Sequence, residues 1–379
     1  MDGNESSLSR PAVPIVRFLT VLTLLYLFLV AIEMMGASFK AVGRETAENL
    51  LTSFANPLAG LFVGVLATVL VQSSSVTTSM IVALVGSGQL PLPVAVPMVM
   101  GANIGTTVTN TLVALGHVGR KDEFRRAFAG ATVHDFFNLM TVAVLLPMEL
   151  LTGWLQKSAH YLTQWVPEVG AKLPNPLKTG VKWSSEHVQH FLEETCALQG
   201  VYLAAILFVM AIAMIVASLY FITKIMKYLM ATRIETMLNR VLGRSGILGL
   251  LIGILMTVAV QSSSITTSLL IPLFGAGLLQ LRAGLPIMIG ANIGTTITAL
   301  LAATVTDVAG LEIALVHLLF NLCGTTLFLP WKVTRDLLVW LADSLAEAAV
   351  KNKLWVLGYV FVVFVLVPVL GIFFFHLFT

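Results

Sequence analysis

The chain alternates long apolar runs with short polar interruptions. Residues 18–35, 201–222 and 354–375 are almost wholly apolar, and about 20 such residues let a helix cross a hydrocarbon core of about 30 Å. The pattern predicts an all-α polytopic membrane protein. Residues 72–79 interrupt it differently, with seven polar residues in eight between the apolar runs 58–71 and 80–85. Such a stretch is too polar to face lipid. Backbone that leaves the helix at membrane depth must be buried in protein or line an aqueous cavity. A helix–break–helix hairpin that re-enters the membrane satisfies that requirement.

The interruption recurs. Val71-Gln72-Ser73-Ser74-Ser75 returns as Val260-Gln261-Ser262-Ser263-Ser264, at an offset of 189. The same offset carries Gly101-Ala102-Asn103-Ile104-Gly105-Thr106-Thr107 onto Gly290-Ala291-Asn292-Ile293-Gly294-Thr295-Thr296. Residues 60–109 and 249–298 align without gaps, with 28 identities in 50 positions. At an offset of 183, His134, Phe137, Asn138 and Pro147 match His317, Phe320, Asn321 and Pro330. Duplication of that extent organises the whole fold.

Lysine and arginine placement sets the orientation. Stretches 1–17, 117–128, 223–245 and 332–353 hold 15 of the 22 and are assigned to the cytoplasm. Repeat 1 then starts at the outer face and repeat 2 at the inner face, so the repeats are inverted. The expected organisation is an N-terminal segment with the first membrane helix (1–53), repeat 1 (54–152) and an external loop (153–199). A linking membrane helix with a cytoplasmic connector (200–245), the repeat 2 core (246–331) and an amphipathic segment with the last membrane helix (332–379) follow.

Paired interruptions at corresponding positions of inverted repeats point to the binding site of a secondary transporter. Helix N-terminal amides and serine hydroxyls favour an anion, while glutamine, threonine and carbonyl oxygens suit a hard cation such as sodium. In the Gly-Ala-Asn-Ile-Gly-Thr-Thr copies, two glycines would let a membrane helix unwind. Asn103, Thr106, Asn292, Thr295 and Thr298 would supply neutral oxygens, the last two on one helical face. Neither motif holds a lysine or arginine. An anion held by hydroxyls and amides would have its charge offset by co-bound cations, which couples the two ligands.

Other polar positions read more modestly. His134 and Asp135 are expected near the cytoplasmic end of their helix, as part of a helix-end ion pair with Arg125 and Arg126. Asn138 and Asn321 fit either ligands or interhelical hydrogen-bond partners. Glu186, His187, His190, Glu193 and Glu194 have metal-like spacing but read as a solvated helical face, so no metal beyond sodium is expected. Residues 166–180 read as an irregular part of the external loop, and 334–350 as an amphipathic helix along the cytoplasmic surface.

Composition narrows the class. Only 11% of the residues are charged against 57% hydrophobic, too little charge to cover a soluble globule of this size. A net charge of +3 without a basic, aromatic-interleaved stripe gives nucleic-acid binding no support. Cys196 and Cys323 form neither a disulfide framework nor a zinc signature. No Gly-x-Ser-x-Gly elbow, zincin motif or Walker A sequence occurs, so enzymatic chemistry is not expected.

The two Val-Gln-Ser-Ser-Ser elements, the two Gly-Ala-Asn-Ile-Gly-Thr-Thr copies and the run from Phe124 through His134-Asp135-Phe136-Phe137-Asn138 resemble the type II sodium–phosphate cotransporters. The resemblance extends from about Arg17 to Pro368. It implies sodium-driven uptake of inorganic phosphate by an elevator-type alternating-access mechanism, with no cofactor other than sodium as the coupling ion. Carried over by position, Gln72, Ser73, Ser74, Ser75, Ser262, Ser263 and Ser264 would surround phosphate. Gln261 and Ser262 with Thr295 and Thr298 would form a sodium site. The family's architecture also allows a homodimer. The short connector, with one cysteine and no sequon, departs from the animal pattern and reads as a compact bacterial inner-membrane form. Arg120 and Lys121 stand where animal relatives often have an acid nearby, which leaves stoichiometry open. Symport of sulfate or a small carboxylate, or an anion channel, remain alternatives, because hydroxyls and amides bind any such oxyanion.

Overall fold

The computed structural model describes residues 12–42, 56–165, 176–241 and 246–377, and among these the regular structure is helical throughout. The first helix, α1 (Ala12–Val42), is followed by two short helices, α2 (Pro57–Val71) and α3 (Ser74–Gly86). Next come α4 (Leu92–Gly105), α5 (Val108–Leu115) and the long α6 (Lys121–Thr152). Helices α7 (Trp154–Trp165), α8 (Pro176–Glu194) and α9 (Gly200–Val241) lead into α10 (Gly246–Val260), α11 (Ser263–Ser268) and α12 (Ile271–Gly275). The chain closes with α13 (Leu281–Ala303), α14 (Val308–Phe328), α15 (Lys332–Lys351), α16 (Leu354–Phe361), a π-helical turn (Val362–Leu366) and α17 (Val367–Leu377).

Among the described residues, seven segments are long and apolar enough to cross a membrane: Val16–Ala41, Leu92–Leu115, Lys121–Thr152, Gly200–Leu229, Leu281–Ala303, Val308–Phe328 and Leu354–Phe375. Their outward faces carry exposed Phe18, Leu22, Tyr202 and Leu357, a surface that only lipid accommodates. The chain is a multi-pass membrane protein. Helices α2 and α10, each 15 residues long, reach only about 22 Å at 1.5 Å per residue and fall short of a full crossing.

Local chemistry explains where the short helices begin and end. Asn56 caps α2 by accepting from the Leu58 amide at 2.9 Å, with Pro57 in the first turn, where its missing N–H costs nothing. At the other end Gln72 turns into the left-handed region (φ 57°), and Ser73 then caps α3 through a 3.3 Å bond from the Val76 amide. The second copy repeats each step: Gln261 has φ 57°, and Ser262 accepts from the Ile265 amide at 3.4 Å.

The glycines of the second motif act differently from the expectation. In the first copy the helix is interrupted between α4 and α5, at Thr106 and Thr107. In the second, α13 runs unbroken through Gly290, Gly294 and Thr298, so the expected unwound helix is absent there. Close packing is the reason. A Cβ at Gly101 would overlap the Leu61 carbonyl oxygen, and one at Gly290 the Leu250 carbonyl oxygen. Each glycine lets two helix backbones touch.

The stretch between the repeats contains the amphipathic helices α7 and α8; residues 166–175 of the predicted irregular region lie outside the described residues. On α8, exposed His190 lies 4.0 Å from Glu193 and 3.8 Å from Glu194. Helix α15 packs along α6 with Leu338, Ala342, Ala346 and Ala349 buried. Arg125 meets Glu347 at 2.8 Å, and Arg282 meets Asp336 at 3.0 Å. Partial burial holds the Asp343 carboxyl above its ordinary range, against the opposing pull of Arg125.

Candidate functional site

Both helix breaks open on one cavity of about 450 Å³, lined by Gln72 and Ser73 from the first and Gln261, Ser262 and Ser264 from the second. Each glutamine is held by a threonine 37 positions later. Thr109 Oγ1 donates to Gln72 Oε1 at 3.0 Å, and Thr298 Oγ1 donates to Gln261 Oε1 at 2.9 Å. Each glutamine amide also donates to a carbonyl of its own helix, that of Val69 or Val258. The left-handed turn and these bonds fix the amide at the break, where it presents an oxygen already polarised by a hydroxyl. The first N–H groups of a helix have no partner within it, so α3 directs donors to the same region.

The other expected residues divide into two sets. Ser74, Ser75 and Ser263 are buried in the first turns of α3 and α11, and their side chains are not part of the cavity wall. Thr106 and Thr295 donate to the carbonyls four residues back, Ala102 and Ala291, which leaves their oxygen lone pairs free to accept or to ligate. Asn103 donates to the Val99 carbonyl.

Asn292 is the centre of a buried relay. His134 Nε2 lies 2.8 Å from Asn292 Oδ1, Asn292 Nδ2 donates to Asn138 Oδ1 at 2.7 Å, and Asn138 Nδ2 donates to the Asn103 carbonyl at 2.8 Å. Asn138 is thus an interhelical partner joining α4, α6 and α13. Asn321 instead donates to the His317 carbonyl on its own helix, and its Oδ1 has no hydrogen-bond partner among the described residues.

The helix-end ion pair expected for His134 and Asp135 is not formed. His134 is fully buried and Asp135 is 1% exposed; Asp135 Oδ2 accepts from the Tyr359 hydroxyl at 2.8 Å. Arg125 turns to α15, and Arg126 donates to the Gly275 carbonyl. Both acid and imidazole lie more than two helical turns beyond the arginines, inside the bundle. Removing the hub should be costly: Asn292→Ala leaves two buried polar groups, His134 Nε2 and Asn138 Oδ1, short of a partner, at about 1–3 kcal/mol for each that stays unsatisfied. Thermal unfolding in detergent is expected to show a lowered midpoint, and an unchanged one would mean the relay is not closed.

Several residues of the site escaped sequence reasoning. Thr109 stands 37 residues after Gln72, as Thr298 does after Gln261, a spacing that could have revealed it. Asn110, whose Oδ1 lies 2.9 Å from Thr267 Oγ1, has Ala299 at its repeat position, so no duplication flags it. Thr223, Lys224 and Lys227 of α9 complete the cavity wall; in sequence they only end an apolar run.

Paired helix breaks flank one cavity whose wall mixes glutamine, serine and threonine side chains with apolar ones, in a multi-pass membrane protein. The Na+/Pi-cotransporter family model matches residues 27–160 and 207–342. Sodium-dependent phosphate transport protein 2A of Ovis aries is 32% identical over 440 residues, covering 97% of this chain and 69% of the relative. Sodium-dependent phosphate transport protein 2B of Homo sapiens is 31% identical over 444 residues, covering 93% and 64%. This chain belongs to the Na+/Pi-cotransporter family, a family of transporters rather than enzymes. It spans about two thirds of the length of these relatives. No solved structure matches it significantly.

Proposed function

We propose that the chain is a secondary active transporter that takes up inorganic phosphate with sodium by alternating access. The observation that carries this reading is the convergence of two equivalent helix breaks, at Gln72–Ser73 and Gln261–Ser262, on one cavity. Phosphate sits between Gln72 and Ser73 on one side and Ser262 and Ser264 on the other, held by hydroxyl and amide donors. Sodium sits among Gln261, Ser262, Thr295 and Thr298, with Asn103, Thr106 and Asn292 supporting. The cation lowers the cost of seating the anion, and the anion does the same for the cation, which is reciprocal coupling between two sites.

In this reading α2–α3 and α10–α12 are re-entrant hairpins of inverted repeats at 54–152 and 246–331, and they move as an elevator against a scaffold containing α1 and α9. Residues 153–199, which include α7 and α8, form the external connector. Its single cysteine and the compact repeats favour a bacterial inner membrane, and a homodimer through the scaffold fits the architecture. The deciding measurement is radiolabelled phosphate uptake into proteoliposomes with and without an inward sodium gradient. Saturable uptake that needs sodium is expected. Uptake indifferent to sodium would refute coupling, and preference for sulfate or a carboxylate over phosphate would reassign the anion.

A further inference from the structure

The cavity wall that the duplicated motifs do not build belongs to α9, and it is graded. Val216, Leu219 and Tyr220 give way to Thr223, then to Lys224 and Lys227. These positions follow helical spacing on one face and span about 17 Å at 1.5 Å per residue. The wall therefore changes from apolar to hydroxyl-bearing to cationic, and both lysines are exposed at its end.

These ammonium groups differ from the ion-paired cationic side chains of the molecule. Arg120 pairs with Glu123, Arg125 with Glu347, Lys182 with Glu186 and Arg282 with Asp336. Among the described residues, neither Lys224 nor Lys227 has a carboxylate within ion-pair distance. The groups that contact the proposed ligand from the breaks are uncharged amides and hydroxyls. Among the described residues, the lysines thus supply the only formal charge on the cavity wall, and that charge is positive.

We propose that Lys224 and Lys227 form a cationic collar that captures phosphate at this mouth. The proposal rests on the phosphate-transport reading above. A hydroxyl donates to a singly or doubly charged oxyanion alike, whereas attraction to an ammonium group grows with the ligand's charge. A cleft with low-dielectric walls focuses that field on the entering anion. The collar is also one-sided. Helix α9 packs chiefly along α1, while the breaks lie on α2–α3 and α10–α11, so a site that moves relative to α1 and α9 leaves the collar behind when it faces the other way. The positive-inside distribution puts the collar at the cytoplasmic mouth.

The test uses the full chain in proteoliposomes of determined orientation, with phosphate affinity measured separately at each face by phosphate exchange at fixed sodium. Lys224→Gln with Lys227→Gln is expected to raise the apparent KM for phosphate at the cytoplasmic face about three- to tenfold at low ionic strength. The difference should shrink toward unity in about 0.5 M potassium chloride, where exposed charges are screened. Lys224→Glu with Lys227→Glu should weaken binding further, the double arginine variant should retain it, and the external KM should hold within about twofold. Wild-type affinity in both neutralised and reversed variants, or an equal loss at both faces, overturns the collar. Wild-type protein that moves no phosphate under a sodium gradient overturns the transport reading, and the collar with it.

Discussion

Gln261→Ala is expected to cut sodium-driven phosphate uptake about ten- to a hundredfold while the protein still inserts and folds. Gln261 sits at the break, half-buried, where its Oε1 accepts from Thr298 and its Nε2 donates to the Val258 carbonyl of α10, which steadies the turn. A hydrogen-bonding group that contacts a charged ligand is worth about 1.5–3 kcal/mol, and about 1.4 kcal/mol is tenfold. Gln72 occupies the equivalent place but is exposed, so water replaces part of what its removal loses and Gln72→Ala should be the milder change. Thr298→Ala tests whether the two side chains act together. If the threonine works by orienting the glutamine, the double variant with Gln261→Ala should cost little more than Gln261→Ala alone. Thr295→Ala should raise the sodium concentration needed for half-maximal uptake, because its hydroxyl spends its proton on the Ala291 carbonyl and offers only lone pairs. Normal uptake by Gln261→Ala and Thr295→Ala across a sodium titration would remove both residues from the site.

The breaks were legible in the sequence because polarity inside an apolar run has few physical explanations. A polar octet at 72–79 must leave the lipid, and its return at 261–268 makes the pair a design rather than an accident. Long apolar runs announced the spans for the same reason. The behaviour of Gly290 was not legible. A glycine pair permits an unwound helix and equally permits a close helix contact, and only the neighbour, Leu250, decides between them. His134 and Asp135 looked like helix-end groups because Arg125 and Arg126 lie within three turns of them; the partners that hold them inside, Asn292 and Tyr359, come from 158 and 224 residues away. Lys224 and Lys227 counted toward orientation, yet nothing in a one-dimensional pattern says that their helix face closes a cavity built by other helices.

The same geometry predicts a second large effect, at Gly290. Gly290→Val should destabilise the protein by about 3 kcal/mol or more, the upper end of what overpacking costs. The added Cβ would overlap the Leu250 carbonyl oxygen and lie within 3.1 Å of the Ile254 amide nitrogen. Both are backbone atoms of α10, which cannot rotate aside as a side chain could. Gly253 answers from α10, where a Cβ would overlap the Ile287 carbonyl oxygen of α13, so the helices touch at two reciprocal points about one turn apart. Pushing them apart would also separate Gln261, which follows α10, from Thr298 on α13, whose bond spans 2.9 Å. Gly290→Ala, a smaller insult, should therefore lose transport out of proportion to its loss of stability. Gly358→Ala supplies the contrast: nothing lies within 4 Å of a Cβ there, and in a helix alanine is favoured over glycine by about 0.5–1 kcal/mol. Thermal unfolding in detergent should place Gly290→Val well below wild type and Gly358→Ala at or above it. A Gly290→Val protein with wild-type stability and full sodium-driven uptake would mean that α10 and α13 do not meet at Leu250.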